Sequence, residues 1–164
     1  MRLSDETSLI GHRGWADGRA GLGERSTVRL NDHLLIQNLA RTDSVQLFAI
    51  LQALGDQSAN YIRTTATEAL AACRRLIVAT HVPPFPEAAL YERKPSEPAF
   101  APHFVNVAMG QALLELARLH PNKEITVLCG HTHHEALYSP LPNLVVKVSG
   151  AEYNKPQVAE TIII

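Results

Sequence analysis

Three histidines at the ends of apolar segments carry the chemistry that this sequence suggests. His131 and His133 stand two residues apart after the apolar run 125–129 and Gly130, and His81 follows the apolar run 76–79. Neutral imidazole is the commonest protein ligand for zinc-like ions. Residues two apart project to the same side of an extended chain. The spacing therefore predicts a divalent-metal site, although two nearby histidines alone are often only part of a solvated loop.

The two apolar runs have the composition of buried strands, because both are aliphatic, rich in β-branched residues and bounded by turn-forming residues. Gly130 has no Cβ, so we expect the backbone there to turn sharply and to approach a ligand. Pro83 and Pro84 end the segment that carries His81, because proline cannot donate to a strand ladder. Sites in α/β proteins are built at the carboxyl ends of strands, so both runs are expected to present histidine at such an edge.

The remaining elements alternate between helix and strand. Periodicity predicts helices over 31–41, 44–54, 56–73 and 105–119, with Gly55 ending or kinking the helix before it. Further strands are expected over 8–12, 144–148 and 157–164, and the glycine-rich stretch 11–23 is expected to be a loop. This alternation is typical of an α/β layer structure.

Residues 82–104 hold six prolines and little periodicity. A long segment of this kind inside a domain is often functional, and its place after His81 predicts a rim or lid over the site. Its aromatic residues are interpreted as hydrophobic pins, with substrate contact as the alternative.

Trp15 is interpreted as a core residue under its loop, or else as a pocket wall. His33 is expected on a helix surface, and His103 is not assigned as a ligand.

Composition excludes several classes of protein. The chain has 164 residues with 46% hydrophobic content and a formal net charge of −1, which predicts one domain with a real core and no nucleic-acid footprint. No apolar run is long enough to span a membrane, and the polar N-terminus is not a signal peptide. Cys73 and Cys129 lie in or near apolar segments, so we expect reduced core thiols and a cytoplasmic location.

The two histidine motifs together resemble the calcineurin-like metallophosphoesterase family. The matching stretches are Thr80-His81-Val82-Pro83-Pro84 and Gly130-His131-Thr132-His133. The stretches 10–19 and 150–153 also look like segments of one bacterial-type branch. The resemblance covers the whole chain but only the C-terminal half of the family domain. It implies an α/β sandwich of layered sheets and helices, here incomplete because the N-terminal half is absent, with residues 1–164 as its C-terminal part.

The resemblance also implies roles for individual residues. By position, His81 and His131 would bind one metal ion and His133 a second, and His134 would lie at the rim or contact substrate. The ions would be divalent, with Mn, Fe, Zn, Mg and Ni not distinguished, and the substrate would be a phosphoester or phosphorylated small molecule. Arg13, Asp17 and Arg19 are candidate phosphate contacts, since guanidinium binds phosphate bidentately. The alternative is that these charges lie in a solvated loop.

The sequence departs from the family in one important respect. The early motifs Asp-x-His, Gly-Asp-x-x-Asp and Gly-Asn-His-Asp/Glu are absent, and Asn31-Asp32-His33 has the wrong order for the first. The residue that serves as catalytic acid in the family is therefore not assigned here. We expect a metal-dependent phosphoester hydrolase whose 164-residue chain holds one ion or none and turns over weakly. The alternatives are a non-catalytic association module and a mononuclear zinc hydrolase with three histidine ligands. An uncovered half-sandwich also predicts a homo-oligomer.

Overall fold

The computed structural model describes all residues 1–164 and contains a mixed five-stranded sheet. Its strands follow the order β1-β2-β5-β7-β6. The first four in this order are parallel and β6 is antiparallel to β7. The strands are β1 (Thr7–Gly11), β2 (Arg75–Ala79), β5 (Glu124–Cys129), β6 (Ala136–Leu141) and β7 (Leu144–Val148). The parallel register brings the carboxyl ends of β1, β2 and β5 to one edge.

Helices connect the parallel strands. The short α1 (Asp32–Leu35) and the long α2 (Ser44–Ala72) lie between β1 and β2, and α3 (Val107–Leu119) lies between β2 and β5. A reciprocal pair of hydrogen bonds between Asp43 and Gln46 caps α2 at its start. The segment between β2 and α3 contains only short 3-10 turns and the small hairpin β3 (Leu90–Tyr91) and β4 (Lys94–Pro95). Its irregularity agrees with its proline content.

The main core lies between the sheet and the two longer helices. One face of the sheet supplies alternate strand residues, including Val78 and Val127, and the helices supply residues such as Ile62 and Leu113. These side chains are all fully buried. Both helices therefore pack on the same face, and the α/β class expected from the sequence is confirmed.

The opposite face of the sheet has a different cover. Its central row is Leu9, Ile77, Thr126 and Val145, which are adjacent in the strand register. No helix packs on this row, and the irregular C-terminal residues Ile162–Ile164 line a small pocket that Ile77 and Thr126 also line. The homo-oligomer expected from an uncovered face stays a prediction.

Several predicted elements are wrong. The helix expected over 31–41 is a single turn, and Gly55 lies inside one continuous 29-residue α2 rather than at a break. A Cβ at Gly55 would lie 2.3 Å from the Cβ of Asp17, so this glycine allows close packing and does not end the helix. Residues 157–164 form no strand, whereas the unpredicted β6 pairs with β7. The sequence of β6 contains Ser139 and Pro140, which are typical of the end of a strand and hide this one.

The two cysteines are buried and free, as expected for core thiols. None of the helices is both long enough and apolar enough to cross a bilayer.

Candidate functional site

The candidate site lies at the edge where the parallel strands β1, β2 and β5 end. A histidine follows each of these strands within two residues: His12 after β1, His81 after β2 and His131 after β5. The backbone ties the three segments together, because His12 N donates to Ala79 O and Gly130 N donates to His81 O. Chain segments that are far apart in sequence therefore meet at one point.

His81 and His131 contact each other directly. Nε2 of His81 lies 3.0 Å from Nδ1 of His131, and the ring centroids are 4.8 Å apart. Trp15 stacks on His81 at 5.6 Å, and Phe104 meets His131 edge-on at 5.3 Å. These aromatic neighbours hold the two imidazoles in place and shield one side of the pair from water.

Hydrogen bonding selects the tautomer of His131. Its Nε2 lies 3.1 Å from the carbonyl oxygen of His103, which can only accept, so Nε2 carries the proton. Nδ1 of His131 then carries no proton, and its lone pair is directed at His81. A carbonyl that orients the far nitrogen of an imidazole is the usual support of a metal-binding histidine.

The site keeps its histidines neutral. Burial is the main cause that lowers the pKa of His131 to about 4, and the neighbouring His81 lowers it further. Burial also lowers the pKa of His81, with a smaller contribution from His133 in the same direction. Neutral imidazole is the form that binds a metal, so both rings are ready to act as ligands at pH 7.

Asp32 is a residue that the sequence did not assign to the site. Its carboxylate raises the pKa of both His81 and His131, against the effect of burial. Asp32 therefore lies close enough for its charge to act on the pair, although it begins α1, far away in the sequence. No spacing rule links Asp32 to strands β2 and β5, so only the folded chain reveals this relationship.

His133 and His134 do not join the pair. The backbone at His131 and His133 is left-handed, with φ of 69° and 60°, so the segment is bent and the expected extended projection is wrong. The ring of His133 contacts Tyr153 at 4.8 Å, and that of His134 contacts Tyr91 at 4.7 Å. The sharp turn expected at Gly130 lies instead at His131 and His133. A Cβ on Gly130 would have no atom within 4 Å.

The donor set at the site is smaller than the metal sites that the motifs imply. No group of three or more His, Cys, Asp or Glu side chains is close enough to hold one ion. His81 and His131 fit as two ligands of one ion. The residues present do not fit a complete two-metal site, because no carboxylate joins the two imidazoles.

Asp17 and Arg19 form part of the scaffold. Asp17 is fully buried, so its interpretation as a solvated loop charge is wrong. Its Oδ2 accepts from Ala108 N at 2.8 Å and from Arg19 Nη1 at 3.1 Å, and Arg19 also pairs with Asp56. These contacts fix the loop after β1 to the start of α3, and they occupy the groups that were candidate phosphate contacts.

Arg13 remains exposed and lines a cavity of about 570 Å³ beside the histidine pair. Trp15 and His81 line the same cavity, and Trp15 also packs against the core cluster that contains Phe48, so both interpretations of Trp15 are confirmed. Of the proposed substrate contacts, Arg13 is therefore the one placed next to a space that a ligand can occupy.

A buried histidine cluster supports the site from below. His33 and His103 are 1% and 0% exposed and their ring centroids lie 4.9 Å apart, so the expected surface position of His33 is wrong. Nε2 of His103 lies 3.2 Å from Oγ of Ser26, while Nδ1 of His103 and Nε2 of His33 have no partner. The carbonyl of His103 meets His131, so this cluster fixes one half of the pair. Its residues lie in short or irregular segments, which explains why periodicity missed them.

Comparison of the chain with known proteins finds no matching family model, no matching curated protein and no matching solved structure. The resemblance of its motifs to the calcineurin-like family therefore stays a prediction.

Proposed function

We propose that this chain supplies the histidine ligands of a metal-dependent phosphoester hydrolase of the calcineurin-like type. The observation that carries the proposal is the 3.0 Å distance between Nε2 of His81 and Nδ1 of His131. The two residues come from the two motifs that suggested the family, and they meet at the carboxyl ends of adjacent strands. Packing alone gives no reason for two buried-strand ends to present imidazoles to each other.

The distance suits two ligands of one ion. Zinc binds imidazole nitrogen at about 2.0–2.1 Å, which in tetrahedral coordination places two ligand nitrogens about 3.3 Å apart, so the facing nitrogens would separate by roughly 0.3 Å to hold the ion. Without an ion, His81 Nε2 donates its proton to the lone pair of His131. Nε2 of His81 and Nδ1 of His131 would hold an ion, which would require the neutral tautomer of His81 that carries its proton on Nδ1.

The chain lacks the carboxylate ligands that a two-metal phosphoester hydrolase requires. Phosphoester hydrolysis by a two-metal site requires two ions about 3.5–4 Å apart, and carboxylates are needed to balance their charge. Of the carboxylates, only Asp32 is shown to act on the pair, through its field. We therefore propose that residues 1–164 bind one ion and hydrolyse phosphoesters slowly or not at all, and that the remaining ligands come from outside these residues.

Metal content separates this proposal from its two alternatives. The purified chain is equilibrated with zinc or manganese, desalted and measured by mass spectrometry, together with the variants His81→Ala, His131→Ala and His133→Ala. We expect one ion per chain, lost in the first two variants and kept in the third. Loss in all three variants favours the mononuclear three-histidine site, and no ion in the unchanged chain favours an association module. His120→Ala, beyond the end of α3 at the opposite edge, is the matched control.

Two further measurements test the claim of incompleteness. With manganese and p-nitrophenyl phosphate we expect little turnover, and vigorous hydrolysis abolished by His131→Ala would overturn that claim. The intact mass of the protein made from its native gene is expected to exceed the 18.0 kDa of these residues. A native mass of 18.0 kDa would contradict the proposal that further ligands lie in the same polypeptide.

A further inference from the structure

The cavity beside the histidine pair has the size and position of a ligand site. Its volume is about 570 Å³, and His81 forms part of its wall. Ligand pockets commonly measure about 300–1,000 Å³ and combine apolar walls with a few polar groups. A molecule in this cavity would therefore lie directly beside the imidazole pair.

Amides make up half of the polar side chains in the wall, beside His12, Arg13 and His81. Gln37, Asn38 and Gln57 line the cavity, and none of their side chains is used in a hydrogen bond within the chain. Each amide offers a carbonyl acceptor and an amino donor. Together they can form hydrogen bonds with a ligand that presents donors and acceptors side by side.

The wall also has an apolar part, and it carries no negative charge. Trp15, Ile36 and Leu54 contribute apolar surface, and no carboxylate lines the cavity. A cationic group such as choline would lose water there without gaining a counter-charge. The cavity has none of the carboxylates that commonly bind pairs of hydroxyl groups on a sugar. A planar, uncharged heterocycle can instead contact the part of the indole that lines the cavity and pair with the amides, as Asn and Gln do with adenine.

We propose that this cavity binds the nucleobase of a nucleotide whose phosphoester lies at His81 and His131. The assignment of the phosphoester rests on the proposed function, whereas binding of the base does not. Arg13, at the cavity wall, supplies the single formal charge that would face the phosphate.

Trp15 makes base binding directly measurable because it is the only tryptophan in the chain. Its fluorescence is excited at the red edge and titrated with adenosine, with ribose and with inorganic phosphate. We expect saturable quenching by adenosine and none by ribose or phosphate. Equal quenching by ribose, or none by adenosine, would overturn the proposal.

Variants test whether the amides recognise the base. Loss of one hydrogen bond to the ligand corresponds to about a tenfold weaker affinity, so Asn38→Leu and Gln57→Leu are each expected to bind adenosine about tenfold less tightly. Gln111→Leu changes an exposed amide on α3, away from the cavity, and is the matched control. Equal weakening by the control, with all variants folded by circular dichroism, contradicts recognition by the amides.

The failure of this inference is distinguishable from failure of the proposed function. Zinc binding and adenosine binding are measured separately on the unchanged chain. Zinc binding without adenosine binding overturns the base site alone. Adenosine binding without zinc binding overturns the metal site alone.

Discussion

Nε2 of His81 lies 3.0 Å from Nδ1 of His131 although 50 residues separate the two in the chain. The carbonyl of His103, which accepts from Nε2 of His131, determines which atom of this pair carries the shared proton. The arrangement presents a lone pair of His131 to His81 before any ligand arrives.

The first prediction concerns these tautomers. Without metal, we expect nitrogen NMR to show both rings neutral and protonated at Nε2. Zinc is expected to move the proton of His81 to Nδ1 and to leave that of His131 in place. A spectrum in which His131 is protonated at Nδ1 would contradict the orienting role of the His103 carbonyl.

The second prediction concerns the buried carboxylate of Asp17. Asp17→Ala removes its bonds to Arg19 and to the start of α3, and leaves Arg19 with Asp56, a more exposed carboxylate, as its remaining partner. Because Arg19 is 31% exposed, water offsets part of the loss, and we expect unfolding free energy to fall by about 2–3 kcal/mol in urea titrations. Asp5→Ala, which breaks an exposed pair with Arg2, is expected to cost less than about 1 kcal/mol. Equal costs would rule out the structural role of Asp17.

The third prediction compares two glycines near the site. A Cβ at Gly110 would lie 2.2 Å from the carbonyl oxygen of Pro84, in the segment that follows His81. Gly110→Ala is therefore expected to cost about 1–3 kcal/mol in thermal unfolding and to weaken zinc binding as that segment shifts. No atom lies within 4 Å of a Cβ at Gly130, so Gly130→Ala is expected to keep its stability. The reverse ranking would contradict this account of the packing.

The fourth prediction is a loss of stability in acid. Burial is the main cause that lowers the pKa of His103 to about 4, and the neighbouring His33 lowers it further. Above the ordinary value of about 6.5 both folded and unfolded chains are neutral, so His103 has no effect. As the pH falls from 6.5 to 4, the unfolded chain takes up the proton first and the fold is destabilised by up to roughly 3 kcal/mol. The urea concentration at the midpoint of unfolding is measured between pH 6.5 and 4, and we expect it to fall as the pH falls.

A matched variant identifies the source of this pH dependence. His103→Gln keeps a hydrogen-bonding group towards Ser26 but cannot titrate, so we expect a smaller decrease in stability between pH 6.5 and 4. His120→Gln, at the end of α3, is expected to leave the decrease at the value of the unchanged chain. If the two variants behave alike, the acid sensitivity does not come from His103.

Much of the sheet was predictable because its central strands carry local signals. The runs that precede His81 and His131 are aliphatic and bounded by turn residues, and both form strands as expected. The convergence of their histidines followed from the rule that the ends of parallel strands share an edge. These features depend on short stretches of sequence.

The features that sequence reasoning missed depend on tertiary packing. Gly55 is buried within α2 beside Asp17, a contact that no propensity encodes. The burial of His33 and the reach of the Asp32 charge result from where α1 lies against the site. The left-handed backbone at His131 and His133 likewise separates two histidines that an extended segment would align.

The position of a bound ion tests the central claim most directly. Crystals of the chain soaked in zinc are measured at the zinc absorption edge, and an anomalous difference map locates the metal. We predict one peak about 2.0–2.1 Å from both Nε2 of His81 and Nδ1 of His131. A zinc peak bound elsewhere, with these two nitrogens still bonded to each other, would contradict the account.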